Sequence, residues 1–186
     1  MKQKAGNALQ KKIKKIHIIG GAGSGKTYLA RVLSDKLAIP AADLDNLFWN
    51  KSYGTKKDLV IRDRELEAVL SKDAWIMEGV YYGWLDTSFE KADQIIVLHT
   101  NMHLRQMRII LRFLKRKLRI LPTKKESLKD LMQLLKWNTK YDTNNLAKAL
   151  RKIEAYEEKV VHIYNKRELN QFLKKYQVKI NNVSRK

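Results

Sequence analysis

The stretch Gly20-Gly21-Ala22-Gly23-Ser24-Gly25-Lys26-Thr27 constrains this chain most, because it joins a β-type run, Ile16 to Ile19, to a helical run with Leu29, Val32, Leu33 and Leu37 on one face. Its spacing is Gly-x-x-x-x-Gly-Lys-Ser/Thr. Glycines in such a loop let successive backbone N–H groups curl around a polyphosphate, and the positive end of the following helix adds attraction. Lys26 then reaches the β- and γ-phosphates, and the Thr27 hydroxyl is placed to ligate Mg²⁺. ATP or GTP is the implied ligand, with Gly21, Ala22, Gly23, Ser24, Gly25, Lys26, Thr27 and Tyr28 as the nucleotide-binding set. A dinucleotide fingerprint fails here. Starting Gly-x-Gly at Gly21 puts Lys26 where the third glycine belongs, and starting at Gly23 puts Tyr28 there.

Further β-type runs, Ala74 to Met77, Gln94 to Leu98 and Val160 to Tyr164, with a weaker one around Ile39 to Leu44, alternate with longer helical patterns. That alternation predicts a parallel sheet covered by helices. With 186 residues, 44% of them hydrophobic, the chain supplies one sizeable core, so a single domain over 1–186 is expected. The lysine-rich Met1 to Lys12 segment reads as a mobile arm. The absence of Cys excludes disulfides, thiolate metal sites and a Cys nucleophile, and four scattered His offer no zinc spacing. The apolar runs are far shorter than the roughly 20 residues of a spanning helix, and no signal-peptide core begins the sequence, so a cytoplasmic protein without a membrane partner is expected.

Charge is segregated. Lys and Arg number 39 against 19 Asp and Glu, a net +20 that calls for anionic partners such as nucleotide phosphates, nucleic acid or acidic lipid. Asn101 to Lys125 holds nine of those cations and no acid, whereas Ala41 to Thr100 holds eleven of the acids. Pro122 interrupts the basic helix, and Thr123 to Glu126 then reads as a capping box before Leu128, Leu131, Met132 and Leu135. A helical insertion over about 101–138 results. Along its first helix Arg105, Arg108, Arg112, Arg116 and Arg119 fall on a stripe about 80° wide, with Leu104, Met107, Ile110, Leu111, Leu114 and Leu118 able to pack inward opposite it. Later, Asn165 to Glu168 reads as an N-cap and first turn leading into Leu169, Phe172 and Leu173.

Phosphoryl transfer also needs an acid near the metal. Glu78 ends Trp75-Ile76-Met77 and is the best such group, since the other internal strand runs out into His99 and Thr100. Asp43 and Asp45 follow the weaker strand; they share a face if it continues, and a turn would separate them or make either a helix cap.

With its loop, Leu44-Asp45-Asn46-Leu47-Phe48-Trp49, and Trp75-Ile76-Met77-Glu78-Gly79 followed by Tyr81, the chain resembles the adenylate-kinase-like P-loop proteins often labelled topology modulation proteins, over about Lys15 to Leu173. Where such proteins commonly show Asp-Gly-Asn-Tyr, this chain reads Glu78-Gly79-Val80-Tyr81, keeping the acid and losing an amide. The resemblance implies a three-layer α/β P-loop NTPase fold of about five parallel strands, helices on both faces and a helical lid. It makes Asp45 the acceptor-binding or general-base candidate. The basic insertion becomes a lid whose arginines, Arg108 and Arg112 first, stabilise charge on the transferred phosphoryl group. Trp49 and Tyr81 are candidate substrate contacts, and the loop at Tyr164 borders the base in similar folds.

The expected activity is therefore ATP- and Mg²⁺-dependent transfer of the γ-phosphoryl group to an unidentified small acceptor, with Lys26, Asp45, Glu78, Arg108 and Arg112 as catalytic residues and Thr27 and Glu78 at the metal. The competing expectation is a nucleic-acid-associated NTPase or regulator of DNA topology, for which the charge and the basic hairpin speak.

Overall fold

The structure is a computed structural model that describes residues 13–50, 55–121 and 126–181. The arm proposed for Met1 to Lys12, like Pro122 and the Thr123 cap, lies outside the described residues.

Five strands form one sheet in the order β2-β3-β1-β4-β5, every pair parallel. They are β1 (Lys15–Gly20), β2 (Ala41–Asp43), β3 (Trp75–Gly79), β4 (Gln94–Leu98) and β5 (Val160–Ile163). The helices are α1 (Lys26–Leu37), α2 (Leu44–Phe48), α3 (Leu59–Leu70), α4 (Asp86–Lys91), α5 (Met102–Lys117), α6 (Leu128–Thr139), α7 (Ala147–Ile153) and α8 (Lys166–Asn181). A π-helical turn, Asp142–Leu146, leads into α7. Thus the expected three-layer P-loop NTPase architecture is the observed one.

Period-2 alternation distributes the core over both faces of the sheet. Ile16, Ile18, Ile76, Ile96 and Leu98 pack with Leu29 and Leu33 of α1 and Phe172 and Tyr176 of α8. Ile19, Trp75, Met77, Ile95 and Val97 pack with Leu66 and Leu70 of α3, Phe89 of α4 and Ala149 and Ile153 of α7. His17 belongs to this second face and is buried without charge, its pKa pushed down to about 3 by burial, with Nδ1 2.6 Å from Ser88 Oγ.

Short local devices start and stop the elements around the sheet. α1 stops at Ala38, which takes a left-handed φ of 54° and bonds its N–H back to Ser34. Asp43 closes β2 and at once caps α2, its Oδ1 accepting from the Asp45 N–H at 2.8 Å. The chain therefore turns after Asp43, and the strand does not run on to Leu44. The capping box of α6 is formed by Ser127 and Asp130, and not with Glu126 as expected, which pairs instead with Arg116. The expected cap at the head of α8 is present: Asn165 Oδ1 accepts from the Glu168 N–H at 3.0 Å, and Glu168 accepts from the Tyr164 N–H at 2.7 Å.

Candidate active site

Three consecutive features of the loop force its shape. Gly23 and Gly25 have φ of 79° and 102°, in the left-handed region where a Cβ is strained. A Cβ on Gly23 would also lie 2.6 Å from the main-chain oxygen of Arg105, so the first turns of α5 press directly on the loop. A Ser24 N–H to Gly21 carbonyl bond of 3.1 Å closes the turn. The N–H groups at the head of α1 are thereby turned toward one space above the C-terminal edge of the sheet.

Lys26 stands at that space almost fully buried, donating to the Gly21 carbonyl at 3.1 Å and lying 3.9 Å from Glu78 Oε2. Burial lowers its pKa, and the nearby Glu78, Asp45 and Asp43 oppose that shift. Glu78 is the mirror case, its pKa raised first by burial and held back by Lys26 and by the Thr27 hydroxyl, which donates to Oε1 at 2.6 Å. Register explains the convergence: Glu78 pairs with Ile18 on β1 and with Asp43 on β2, so the two strand ends bring their acids beside the loop that ends β1. Thr27 and Glu78 thus offer adjoining hard oxygen donors. Among the described residues no group of three or more His, Cys, Asp or Glu forms a metal cage. Magnesium, which keeps several waters and takes phosphate oxygens beside one or two protein oxygens, suits such a pair.

Asp45 sits in the first turn of α2, where its Oδ1 accepts from the Tyr81 hydroxyl at 2.7 Å. Burial, with the Asp45 charge and this bond, pushes the Tyr81 pKa up, which keeps the phenol a donor. Tyr81 belongs to an aromatic cluster, with ring centroids 4.7 Å from Phe48 and 5.7 Å from Trp84, and Phe48 lies 5.0 Å from Trp49. Asp45, Trp49 and Tyr81 are therefore neighbours on one side of the loop. Tyr28, by contrast, is an exposed residue of the first turn of α1.

The arginine stripe is not one line of equivalent groups. Arg105 is fully buried and forks onto Asp142 at 2.6 and 3.0 Å, with a third bond to the Asn138 carbonyl at 3.2 Å. Its guanidinium lies against Gly21, where a Cβ would come within 3.0 Å of Cζ. Arg108 donates to the carbonyls of Gly23 and Ser24 at 3.1 and 3.3 Å. The charge of Arg112 acts on Lys26 and lowers its pKa further. Arg116 pairs with Glu126, and Arg119, with φ of 58°, lies beyond the helix end. Of the five, Arg108 and Arg112 address the loop region as charges, and Arg105 buttresses it from beneath.

The inward packing expected of the apolar residues of α5 is wrong. Ile109 and Phe113 are the buried apolar pair of this helix, while Leu104, Met107, Ile110, Leu111, Leu114 and Leu118 are exposed. Arg105 takes an inward position because Asp142, Asn138 and Tyr141 supply its partners, and no pattern local to α5 announces them. Sequence reading also missed the pair at the ends of β4 and β5, where His99 Nε2 lies 2.8 Å from His162 Nδ1 and Tyr164 stacks on His99 at 4.4 Å.

No family model matches the chain. A curated protein of Bacillus subtilis (strain 168), described as uncharacterized protein YqaC, is 31% identical over 97 residues, 52% of this chain and 54% of that protein; the chain spans about half the length of this curated relative. A gluconokinase from Sinorhizobium meliloti 1021 superposes with a TM-score of 0.53 and 14% identity, covering 91% of this chain and 93% of its own. A shikimate kinase from Acinetobacter baumannii in complex with shikimate gives 0.49 and 18%, covering 95% and 97%. The likeness to the gluconokinase is one of fold, the P-loop kinase-like fold of parallel strands described above. Among the described residues no helix is long and apolar enough to cross a membrane.

Proposed function

We propose that the chain is a phosphotransferase of the P-loop kinase class, moving the γ-phosphoryl group of Mg·ATP to a small acceptor. The observation that carries this is the meeting of loop, cation and acids: Lys26 beside the Gly21 carbonyl, Thr27 bonded to Glu78, and Asp45 in the first turn of α2, two residues past the end of the strand next to Glu78's own.

In this reading the N–H groups from Gly21 to Tyr28 cradle the polyphosphate and Lys26 faces its β- and γ-oxygens. Thr27 and Glu78 would hold Mg²⁺, the Thr hydroxyl directly and the carboxylate through a water; the ion supplies charge neutralisation on the transferred group. Donating its proton to Glu78 leaves both lone pairs of the Thr27 hydroxyl free to face the ion, so Glu78 sets its orientation. Asp45 orients the acceptor hydroxyl and takes its proton, with Tyr81 fixing which carboxylate oxygen is free to do so. Trp49 and Tyr81 border the acceptor. Arg108 and Arg112 bring cationic donors over the loop, where they stabilise charge that grows in the transition state. The motif Leu44 to Trp49 with Glu78 to Tyr81 further supports kinship with the topology modulation proteins, and a cytoplasmic site of action goes with an ATP substrate.

The test is ADP release from Mg·ATP by purified protein across nucleosides, nucleotides and small hydroxylated metabolites. A single accepted hydroxyl compound, with Glu78→Gln retaining ATP but losing magnesium-dependent turnover, is the expected result. ADP release stimulated by DNA and by no small acceptor would instead establish the nucleic-acid-associated NTPase that the nine cations of 101–125 favour.

A further inference from the structure

α5 carries two apolar faces. One is the buried set of Ile109 and Phe113. The other is Leu104, Met107, Leu111 and Leu114, continued by Leu118 at the C-cap, a spacing of 3, 4, 3 and 4 residues, with Ile110, 39% exposed, along its edge. At about 100° per residue this draws a seam roughly 80° wide on the side of the helix opposite Ile109. Its four helical members are 38%, 49%, 46% and 48% exposed and Leu118 is 70% exposed. α6 packs along another side, where Gln106 donates to the Thr139 hydroxyl at 3.0 Å. One exposed leucine needs no explanation. Five apolar side chains in a line of two heptads, about 21 Å long, form the two-in-seven pattern that one helix offers another.

Charge selects the occupant. Lys115 borders the seam on one side and Lys117 on the other, both exposed, and residues 101–121 contain no acid. A second copy would set cation against cation across the seam, in a chain already at +20. An anionic bilayer would meet the same cations, but it makes no use of the alternating 3 and 4 spacing that sets these five side chains in one line. We propose that the outer seam of α5 docks an amphipathic α-helix of a partner protein whose apolar stripe is flanked by Asp or Glu. Apolar contacts along the seam hold the partner, and the flanking cations choose it.

The test uses the full chain and two fluorescein-labelled three-heptad peptides with Leu at the core positions, one flanked by Glu and the other by Lys, read by anisotropy. The Glu-flanked peptide is expected to bind and to weaken with added salt, and the Lys-flanked one not to bind. Leu111→Asp, with unchanged circular dichroism, should weaken binding at least about tenfold. Should that variant fail to fold, Lys115→Glu with Lys117→Glu leaves every seam leucine in place and should reverse the preference between the peptides. Equal binding of both peptides, or insensitivity to both sets of substitutions, overturns the proposal. So does a dimer in light scattering that Leu111→Asp dissolves, or binding to phosphatidylglycerol vesicles without binding to either peptide.

Discussion

Between Gly20 and Thr27 the backbone itself is specified: two left-handed glycines, a turn closed by Ser24, and a neighbour's main chain 2.6 Å from where a Cβ would stand. Along α5 and α6 the backbone is ordinary helix, and everything distinctive lies in which side chains point where. A substitution in the first region meets fixed geometry. In the second it meets a partner elsewhere in the chain, or solvent. This difference predicts that the loop fails through chemistry, the inner face of α5 through stability, and its outer face through neither.

The largest expected effect is at Lys26. Lys26→Ala should lower kcat/KM by about a thousandfold or more and weaken ATP binding, with the fold retained. Wild-type affinity and rate in a folded variant would separate the loop from the chemistry. Next comes the ion pair beneath it: Asp142→Ala strands the fully buried Arg105, and chemical denaturation should show a loss of about 3 kcal/mol. A loss below about 1 kcal/mol would mean that Arg105 does not buttress the loop. Smaller again is the change from fork to point charge. Arg108→Lys or Arg112→Lys should reduce kcat by about ten- to a hundredfold with little change in ATP affinity; normal turnover in both, with stepwise loss of DNA binding as arginines are removed, would transfer the stripe to nucleic acid. The smallest effect belongs to the outer seam. Leu111→Ser should leave stability within about 0.5 kcal/mol of the parent, against about 3 kcal/mol for Phe113→Ala on the inner face.

The same contrast governs what could be read from the residues. β1, β3, β4 and β5 were legible because buried parallel strands announce themselves as apolar runs, and the loop because its glycines and Lys-Thr are required by backbone geometry and phosphate charge. β2 is three residues long, and its end was open between strand and cap until Asp43 was seen bonding the Asp45 N–H. The orientation of α5 was beyond reach of its own pattern. A leucine face and an arginine face are both present, and hydrophobicity assigns the leucines inward. What draws Arg105 inward beside Ile109 and Phe113 is Asp142, thirty-seven residues away, in a π-helical turn with no sequence signature. Glu78 was identifiable as a strand-end acid, whereas its bond to Thr27 required the register of β3 against β1. The Tyr81 hydroxyl on Asp45 similarly joins the loop after β3 to α2, which no spacing rule connects.

The abutment of Arg105's main chain on Gly23 makes α5 a lever with its fulcrum at the phosphate loop. Its long arm runs from Ile109 to Lys117 and beyond toward α6, and its short arm is the single turn between Asn101 and Arg105. Rotation at the fulcrum has no room, because the glycine has already surrendered its Cβ. Any load placed on the far arm would therefore be felt first at the Gly21 and Gly23 carbonyls that Lys26 and Arg108 grip.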